Sequence, residues 1–202
     1  MSAGSLVVEN GKAALDFDAD PDTILEIADN GNLDSVRTGA FSYIASAKLR
    51  VRSSSWQAIF TPSANNNGEG ALGLQFYSNT AQRFGPHNSW VAVTAVASVY
   101  LTDQTRRSIF SLYRDNAGTN GNGSNVQAFV TDSEGNVFNN SETQPWVSNT
   151  GTLATIGKQG EITYASTQSW VGTIQELLIY PTDQSAKRQQ IESNINTYYG
   201  IY

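Results

Sequence analysis

The chain has no cysteine, one methionine, one histidine and few charged residues, and these shortages exclude whole classes of protein. Without cysteine there is no disulfide framework, no thiolate zinc site and no cysteine nucleophile. Charged residues make up 15% of the 202 residues, well below the roughly 25% that is typical of globular proteins. Asparagine, serine, threonine, glutamine and glycine take their place, which predicts a neutral, hydrogen-bonding surface.

Positive charge is also scarce. The 12 basic residues are outnumbered by 18 acidic ones, giving a formal net charge of −6. Binding to nucleic-acid phosphates needs clustered lysine and arginine. The nearest approaches to a basic patch are the set Lys48, Arg50 and Arg52, and the pair Arg106 and Arg107. The first set alternates along a strand and is interpreted as a solvated sheet face or a protected sheet edge. We therefore expect no nucleic-acid partner.

Long apolar runs are missing too. No stretch approaches the roughly 18 apolar residues that a membrane-spanning helix needs, so no membrane insertion is expected. The first nine residues lack a basic segment followed by a long apolar core, so no signal peptide is predicted. We therefore expect synthesis in the cytoplasm.

Alternating apolar and polar residues dominate the rest of the chain. In residues 41–52 one face is apolar and the other polar, with Ile44 as the exception, which predicts a half-buried antiparallel strand. Residues 90–101 repeat the pattern. Shorter strands are predicted at 6–8, 14–17, 24–27, 56–61, 72–77, 108–114, 126–131, 137–139, 153–157 and 173–180. Turn signals such as Asn10-Gly11 lie between them. The pattern predicts an all-β antiparallel sandwich, with residues 1–202 forming a single domain.

One amphipathic helix is predicted over residues 183–199. Thr182 or Asp183 is placed to cap its N-terminus, and Gly200 its C-terminus. The apolar positions at helical spacing are few: Ala186 or the aliphatic part of Lys187, Ile191, Ile195, and Tyr198 or Tyr199. So narrow a stripe predicts a helix on the surface or edge of the sandwich.

Three stretches of sequence resemble a known family. They are Gly-Lys-Ala-Ala-Leu-Asp-Phe-Asp at 11–18, the strand at 39–48, and Ile156-Gly157 followed by Trp-Val-Gly-Thr-Ile-Gln-Glu-Leu-Leu-Ile-Tyr at 170–180 with the helix after it. The chain resembles the concanavalin A-like lectin/glucanase superfamily, in particular the laminin G-like jelly-roll domains of phage and prophage virion proteins. The resemblance implies two curved antiparallel sheets and a role in glycan binding or assembly.

The function expected from this resemblance is that of a non-enzymatic bacteriophage virion protein, as a head decoration, head fibre or tail appendage. Its partners would be other virion proteins, with host glycans as further contacts, and a homo-oligomer is compatible with the role. The alternative is a carbohydrate-binding adhesin module that recognises host surface glycans. Either way, the expected location is the virion.

A glycoside hydrolase is the third hypothesis, and the sequence argues against it. Hydrolysis needs two carboxylates flanking the scissile bond. Glucanases of the resembling superfamily carry them on one strand as Glu-x-Asp-x-(x)-Glu, and no such string is present. Glu161 and Glu176 are isolated, and Glu192 lies on the predicted helix. We therefore expect no enzymatic activity.

Ligand-binding candidates lie in loops. Trp146, in Gln-Pro-Trp-Val, is the best candidate for an exposed platform on which a sugar ring could stack. Asn66 and Asn67 lie in a polar loop, and His87 lies in a loop that enters a strand. The simpler interpretations are core packing for the tryptophan and plain solvent exposure for the histidine.

Asp16, Asp18, Asp20 and Asp22 form the densest acidic cluster and are candidate calcium ligands, because calcium prefers several oxygen ligands on a loop. The spacing is not that of an EF-hand loop, since a proline and an isoleucine occupy the places of its glycine and closing glutamate. A solvated turn is the alternative. No other cofactor is expected.

Glu176 and Trp170 are predicted to have structural roles. Glu176 lies between Ile174 and Leu178 in an apolar strand, and simple alternation places the three on one face. If that face is inward, the carboxylate needs a hydrogen-bond partner or an arginine. The interpretation is a buried structural acid rather than a catalytic one. Trp170 begins the strand and is assigned to the core or its rim.

Overall fold

The structure is a computed structural model that describes residues 5–17, 23–28, 33–50, 56–62, 73–77, 83–84, 91–92, 106–115, 124–144, 153–157 and 169–202. In these ranges the strands are β1 (Ser5–Glu9), β2 (Lys12–Phe17), β3 (Leu25–Ala28), β4 (Phe41–Leu49), β5 (Trp56–Thr61), β6 (Leu74–Tyr77), β7 (Arg83–Phe84), β8 (Val91–Ala92), β9 (Ser108–Arg114), β10 (Ser124–Thr131), β11 (Val137–Gln144), β12 (Leu153–Ile156) and β13 (Gly172–Tyr180). The helices are α1 (Asp34–Thr38) and α2 (Arg188–Tyr199).

The strands form two packed sheets and a short ribbon. The larger sheet has seven strands in the order β1-β2-β13-β4-β9-β10-β11, and the smaller has four in the order β3-β12-β5-β6. Strands β7 and β8 pair separately. All strand pairs in the sheets are antiparallel. The predicted all-β antiparallel sandwich is therefore confirmed.

The main core fills the space between the two sheets, and β4 shows how the sequence builds it. Phe41, Tyr43, Ala45 and Ala47 alternate along the strand and are all 0% exposed. The ring of Tyr43 stacks on Phe41 at 4.3 Å and meets Phe60 of the opposite sheet edge-on at 5.0 Å. This is the apolar face that the alternation predicted.

The polar face of β4 is not solvated as predicted, because α2 lies across the outer face of the seven-stranded sheet. Ser42, Ile44 and Ser46 are all 0% exposed. Ile44, the exception to the alternation, belongs to a second apolar cluster beneath the helix. This outer cluster consists of Ile44, Ile109, Tyr113, Ile195 and Ile201, with Phe129, Leu178, Tyr180, Ile191 and Tyr199 packed against it.

The prediction that Lys48 and Arg50 protect a sheet edge is wrong, although both side chains are partly exposed, Lys48 at 29% and Arg50 at 43%. Strand β4 is central, between β13 and β9, and both cations form ion pairs across the sheet. Lys48 lies 3.7 Å from a carboxylate oxygen of Glu9, and Arg50 pairs with Asp16. Arg52 lies outside the described residues.

The C-terminal helix begins later than predicted. Residues Ser185–Lys187 form a 3₁₀ turn, and α2 starts at Arg188. Asp183 accepts a 2.8 Å hydrogen bond from the Ser185 amide at the start of that turn. Gly200 ends the helix in the left-handed conformation (φ 62°), as predicted, and donates to the Asn196 carbonyl at 2.7 Å. The short helix α1 was not predicted. Among the described residues, no helix is long and apolar enough to cross a membrane.

Candidate functional site

Trp146, His87, Asn66 and Asn67 all lie outside the described residues, as do Asp18, Asp20 and Asp22 of the acidic cluster. The fourth acid, Asp16, lies near the end of β2 and accepts a hydrogen bond from Arg50. In the part of the chain that the structure describes, no three acidic or histidine side chains come together to hold a metal ion. Calcium binding therefore stays a prediction that rests on the sequence.

Trp170 lies in the main core with 0% of its surface exposed. Its indole meets Phe110 edge-on, with ring centroids 6.4 Å apart. Its backbone amide donates to the carbonyl of Gly157 at 2.7 Å. Gly157 (φ 87°) must be a glycine, because a Cβ there would lie 2.4 Å from the ring of Phe17. These contacts fix the entry into β13.

A β-bulge corrects the predicted orientation of Glu176. The pairing of β13 with β4 shifts between Ile174, opposite Ala47, and Glu176, opposite Ser46. The extra residue, Gln175, reverses the alternation from that point. Ile174 therefore packs in the main core, whereas Glu176 lies on the outer face with Leu178. The three residues do not share a face, and Glu176 is half-buried rather than enclosed.

The bulge also connects β13 to the helix. A bulged residue is left without its ladder partner, and the carbonyl of Gln175 accepts a 3.2 Å hydrogen bond from the Tyr199 hydroxyl of α2. The Gln175 side chain donates to the backbone carbonyl of Glu9 at 3.1 Å. The end of α2 is thus held over the point where the strand changes phase.

Between α2 and β13 lies an open groove of about 460 Å³, called the helix groove here. It is lined by Glu176, Leu178, Tyr180, Ile191, Asn194, Ile195, Tyr198 and Tyr199. This volume lies within the roughly 300–1,000 Å³ range of small-molecule sites. Three tyrosines give it flat, rigid contact surfaces, while an amide and a carboxylate supply directional hydrogen bonding.

Tyr198 is the most exposed of the groove's tyrosines. It is 59% exposed, and its ring packs edge-on against Tyr199 with centroids 4.8 Å apart. The ammonium of Lys12 lies 3.8 Å from the ring centroid, which is a cation–π contact. These two neighbours fix the orientation of a large exposed ring, which is how an aromatic platform is prepared at low entropic cost.

Glu176 is the one carboxylate among the described residues that line the groove. Partial burial raises its pKa above the ordinary value. Its charge in turn raises the pKa of Tyr199, after the larger effect of that residue's own burial. A single carboxylate can accept hydrogen bonds from a hydroxylated ligand, but two would be needed for glycoside hydrolysis.

A buried carboxylate holds the helix against the sheet. Glu192 of α2 is 3% exposed. It accepts hydrogen bonds from Ser111 at 3.2 Å, Thr131 at 2.9 Å and, one helical turn away, Arg188 at 2.6 Å. The Arg188 guanidinium also lies 4.5 Å from the ring centroid of Phe129. The burial of Glu192 was not predicted from the sequence, because a glutamate on a surface helix is expected to be solvated.

No model of a known protein family matches the sequence, and neither does any curated protein. Solved structures do match the fold. The sialidase CBM40 of Ruminococcus gnavus, bound to α2,3-sialyllactose, aligns with a TM-score of 0.58 at 12% identity, over 82% of this chain and 89% of that one. Domains LG4-5 of the mouse laminin α1 chain align with a TM-score of 0.55 at 15% identity, over 91% of this chain. The fold is a laminin G-like jelly roll.

A third solved structure also matches the fold. Domain 4 of a GH43 extracellular arabinanase from Geobacillus stearothermophilus, in complex with arabinotriose, aligns with a TM-score of 0.50 at 15% identity, over 89% of this chain and 77% of that one. The present chain spans 44% of the laminin chain. At these identities the laminin G-like jelly roll describes an architecture, and the residues of the site must carry any argument about function.

Proposed function

We propose that this laminin G-like jelly roll is a non-enzymatic carbohydrate-binding module and that the helix groove is its binding site. The observation that carries the proposal is the convergence of an exposed, pre-oriented tyrosine, an asparagine and a half-buried carboxylate in one open groove. Tyrosine faces offer apolar contact to sugar rings, and the amide and carboxylate offer hydrogen bonds to sugar hydroxyls. Two of the similar structures are described as complexes with oligosaccharides.

The test is a glycan array with the wild type and two matched variants. Tyr198→Ala removes the groove's exposed ring, whereas Tyr202→Ala removes another exposed tyrosine that does not line the groove. We expect Tyr198→Ala to weaken binding about tenfold, the equivalent of about 1.4 kcal/mol, and Tyr202→Ala to leave it unchanged. An array with no binding, or equal losses in both variants, would refute the proposal.

Three further arms of the same array test the predictions made from sequence. Repeating the array in EGTA, which removes calcium, tests whether glycan binding depends on calcium held by the segment from Asp16 to Asp22. The variant Trp146→Ala tests whether this tryptophan is the platform for a sugar ring instead of Tyr198. Release of reducing sugar from any bound polysaccharide would contradict the non-enzymatic assignment.

The second candidate function is that of a virion structural protein. It is favoured by the sequence resemblance of residues 11–18, 39–48 and 170–180 to jelly-roll domains of phage particles. The proposal predicts that the chain is a component of gradient-purified phage particles, detected by mass spectrometry. Light scattering of the isolated chain would establish whether it assembles as a homo-oligomer. Its absence from purified particles would contradict this role while leaving glycan binding intact.

A further inference from the structure

The three cations that the sequence separates into two groups come together around one pocket. Strand β4 supplies Lys48, and the segment before β9 supplies Arg106 and Arg107. The pocket measures about 290 Å³ and lies beside the β1–β2 and β10–β11 turns. We call it the cationic pocket; its lining residues are Glu9, Asn10, Lys48, Arg106, Arg107, Ser133 and Ile201.

Arg107 is a built-in part of the pocket rather than a surface side chain. Its side chain is 5% exposed, and its guanidinium donates to Glu9, to the Thr173 hydroxyl at 2.9 Å and to the Ser46 carbonyl at 3.3 Å. Burial lowers the pKa of Arg107 to about 10, so the group stays charged at neutral pH. Glu9 and the two neutral oxygen acceptors offset the cost of removing this cation from water and hold its guanidinium in a fixed position.

The charges in the pocket do not balance. Glu9 is shared between Arg107 and Lys48, and its contact with the Lys48 ammonium is a loose 3.7 Å. Arg106 pairs with Glu134 at the surface. Among the described residues, three cations therefore meet two carboxylates, of which only Glu9 lines the pocket, and this leaves one positive charge in excess in a protein whose net charge is −6. We assign the excess to Lys48, because its contact with Glu9 is the longer one and its side chain is 29% exposed.

The pocket is linked to the helix groove through hydrogen bonds at the bulge. Tyr199, which lines the groove, interacts electrostatically with Glu176 of the groove and with Arg107 of the pocket. Gln175, at the bulge, bonds to the backbone of Glu9 on the pocket side and to Tyr199 on the groove side. One extended ligand could therefore occupy both sites, with its neutral part on the tyrosines and an anionic group beside Lys48.

We infer that the cationic pocket binds the acidic group, a carboxylate or a sulfate, of an acidic glycan. The inference rests on the proposed function, since it names the class of glycan. Lys48 would supply a point charge, and the Asn10 amide and Ser133 hydroxyl would donate hydrogen bonds to the anionic oxygens. Glu9 would keep Lys48 and Arg107 in place without neutralising both.

The test is a ¹H–¹⁵N NMR titration with galactose, galacturonate, galactose 6-sulfate and inorganic sulfate. We expect one or both acidic sugars, but not galactose, to shift the amide signals of Asn10 and Ser133. The variant Lys48→Gln should weaken that binding roughly tenfold. The matched control is Lys187→Gln, which changes the net charge by the same amount as Lys48→Gln. Lys187 is exposed and precedes α2, at the opposite end of the helix from Ile201 of the pocket. This variant should leave the affinity within twofold of the wild type.

Three results would overturn the inference. They are equal shifts with galactose, equal losses in Lys48→Gln and Lys187→Gln, and binding of inorganic sulfate without binding of either acidic sugar. The proposed function fails separately. A glycan array that depends on Tyr198 but shows no preference for acidic glycans retains the helix groove and rejects the cationic pocket. In the converse case, acidic sugars bind in a way that Lys48→Gln weakens and Tyr198→Ala does not. That result would retain the cationic pocket and reject the helix groove.

Discussion

The carboxylate of Glu192 illustrates how a single charged residue can organise a fold. Removing a carboxylate from water is expensive unless its lone pairs are satisfied and a cation lies nearby. Here Ser111 and Thr131, which face outward from adjacent strands, donate to it along with Arg188. If the carboxylate were removed, Arg188 would lose its ion-pair partner, although its side chain is only 13% exposed.

We predict that Glu192→Ala lowers the free energy of unfolding by about 3 kcal/mol, because it leaves a nearly buried guanidinium and two hydroxyls without their acceptor. Chemical denaturation followed by far-UV circular dichroism measures the change. The matched control is Glu134→Ala, whose side chain is 55% exposed and whose pair with Arg106 lies at the surface; it should cost less than about 1 kcal/mol. Equal losses in the two variants would contradict the role given to Glu192.

Sequence reasoning handled apolar residues better than buried polar ones. Tyr43 and Ala45 follow a period of two that can be read without knowing their neighbours. Glu192 is buried only because Ser111 and Thr131, 81 and 61 residues away, supply its donors. Tyr198 and Tyr199 mark an intermediate case. Neighbouring helical residues point about 100° apart, so one of the two had to be exposed, but the sequence does not say which.

At the scale of elements, the bulge in β13 has the largest consequences. A shift of one residue moves every following side chain to the other face of the sheet. It places Glu176 in the helix groove and frees the Gln175 carbonyl for Tyr199. Gln175 and the residues on either side of it include neither a glycine nor a proline that would indicate a bulge. The prediction therefore assumed uninterrupted alternation and assigned Glu176 to the wrong face of the sheet. The strand itself was predicted almost to the residue.

We predict that Glu176→Gln stabilises the protein at neutral pH and has no effect in acid. Burial raises the pKa of Glu176 above its ordinary value of 4.5. Between the ordinary and the raised pKa the folded state binds more protons than the unfolded state, so wild-type stability falls as the pH rises through that window. Glutamine does not titrate, so the variant does not lose stability as the pH rises through this window. Because the residue is partly exposed, the gain should be small, up to about 3 °C in Tm.

Thermal unfolding at pH 7.5 and at pH 3.5 measures this difference. Glu26→Gln provides the matched control, since Glu26 is an exposed strand glutamate in β3. The control should leave Tm unchanged at both pH values. A lower Tm for Glu176→Gln at pH 7.5 would mean that the ionised carboxylate stabilises the fold, contrary to the direction of its pKa.

For the whole molecule, the order of strands decides which distant residues meet. The sequence predicted most of the described strands, the sandwich and the closing helix, because each has a local signature in periodicity or turns; β7 was not predicted, and all but residues 91–92 of the strand predicted at 90–101 lie outside the described residues. It did not predict the cationic pocket. Lys48 and Arg107 converge only because β4 pairs with β9, and Glu9 reaches them only because the β1–β2 hairpin joins the edge of β13. Strand order is a property of the assembled sheets, so local patterns carry no record of it.

The seven-stranded sheet is packed on both faces, and this predicts how the molecule unfolds. Strand β4 contributes Tyr43 to the main core and Ile44 to the outer cluster beneath α2. Loss of the outer cluster should therefore weaken the strand that also supports the core. We predict that Ile195→Ala, at a position 4% exposed, lowers stability by about 2–4 kcal/mol. Amide hydrogen exchange should show α2 and β4 losing protection by the same free energy.

Tyr198→Ala is the control for that experiment, since it shortens an exposed side chain of the same helix and should change protection by less than about 0.5 kcal/mol. If Ile195→Ala accelerates exchange in α2 alone, the helix is a separately unfolding unit laid on a complete sandwich. If α2 and β4 change together, the helix is part of the cooperative core. The helix groove would then be as rigid as the sheet, which would favour binding by a preformed site.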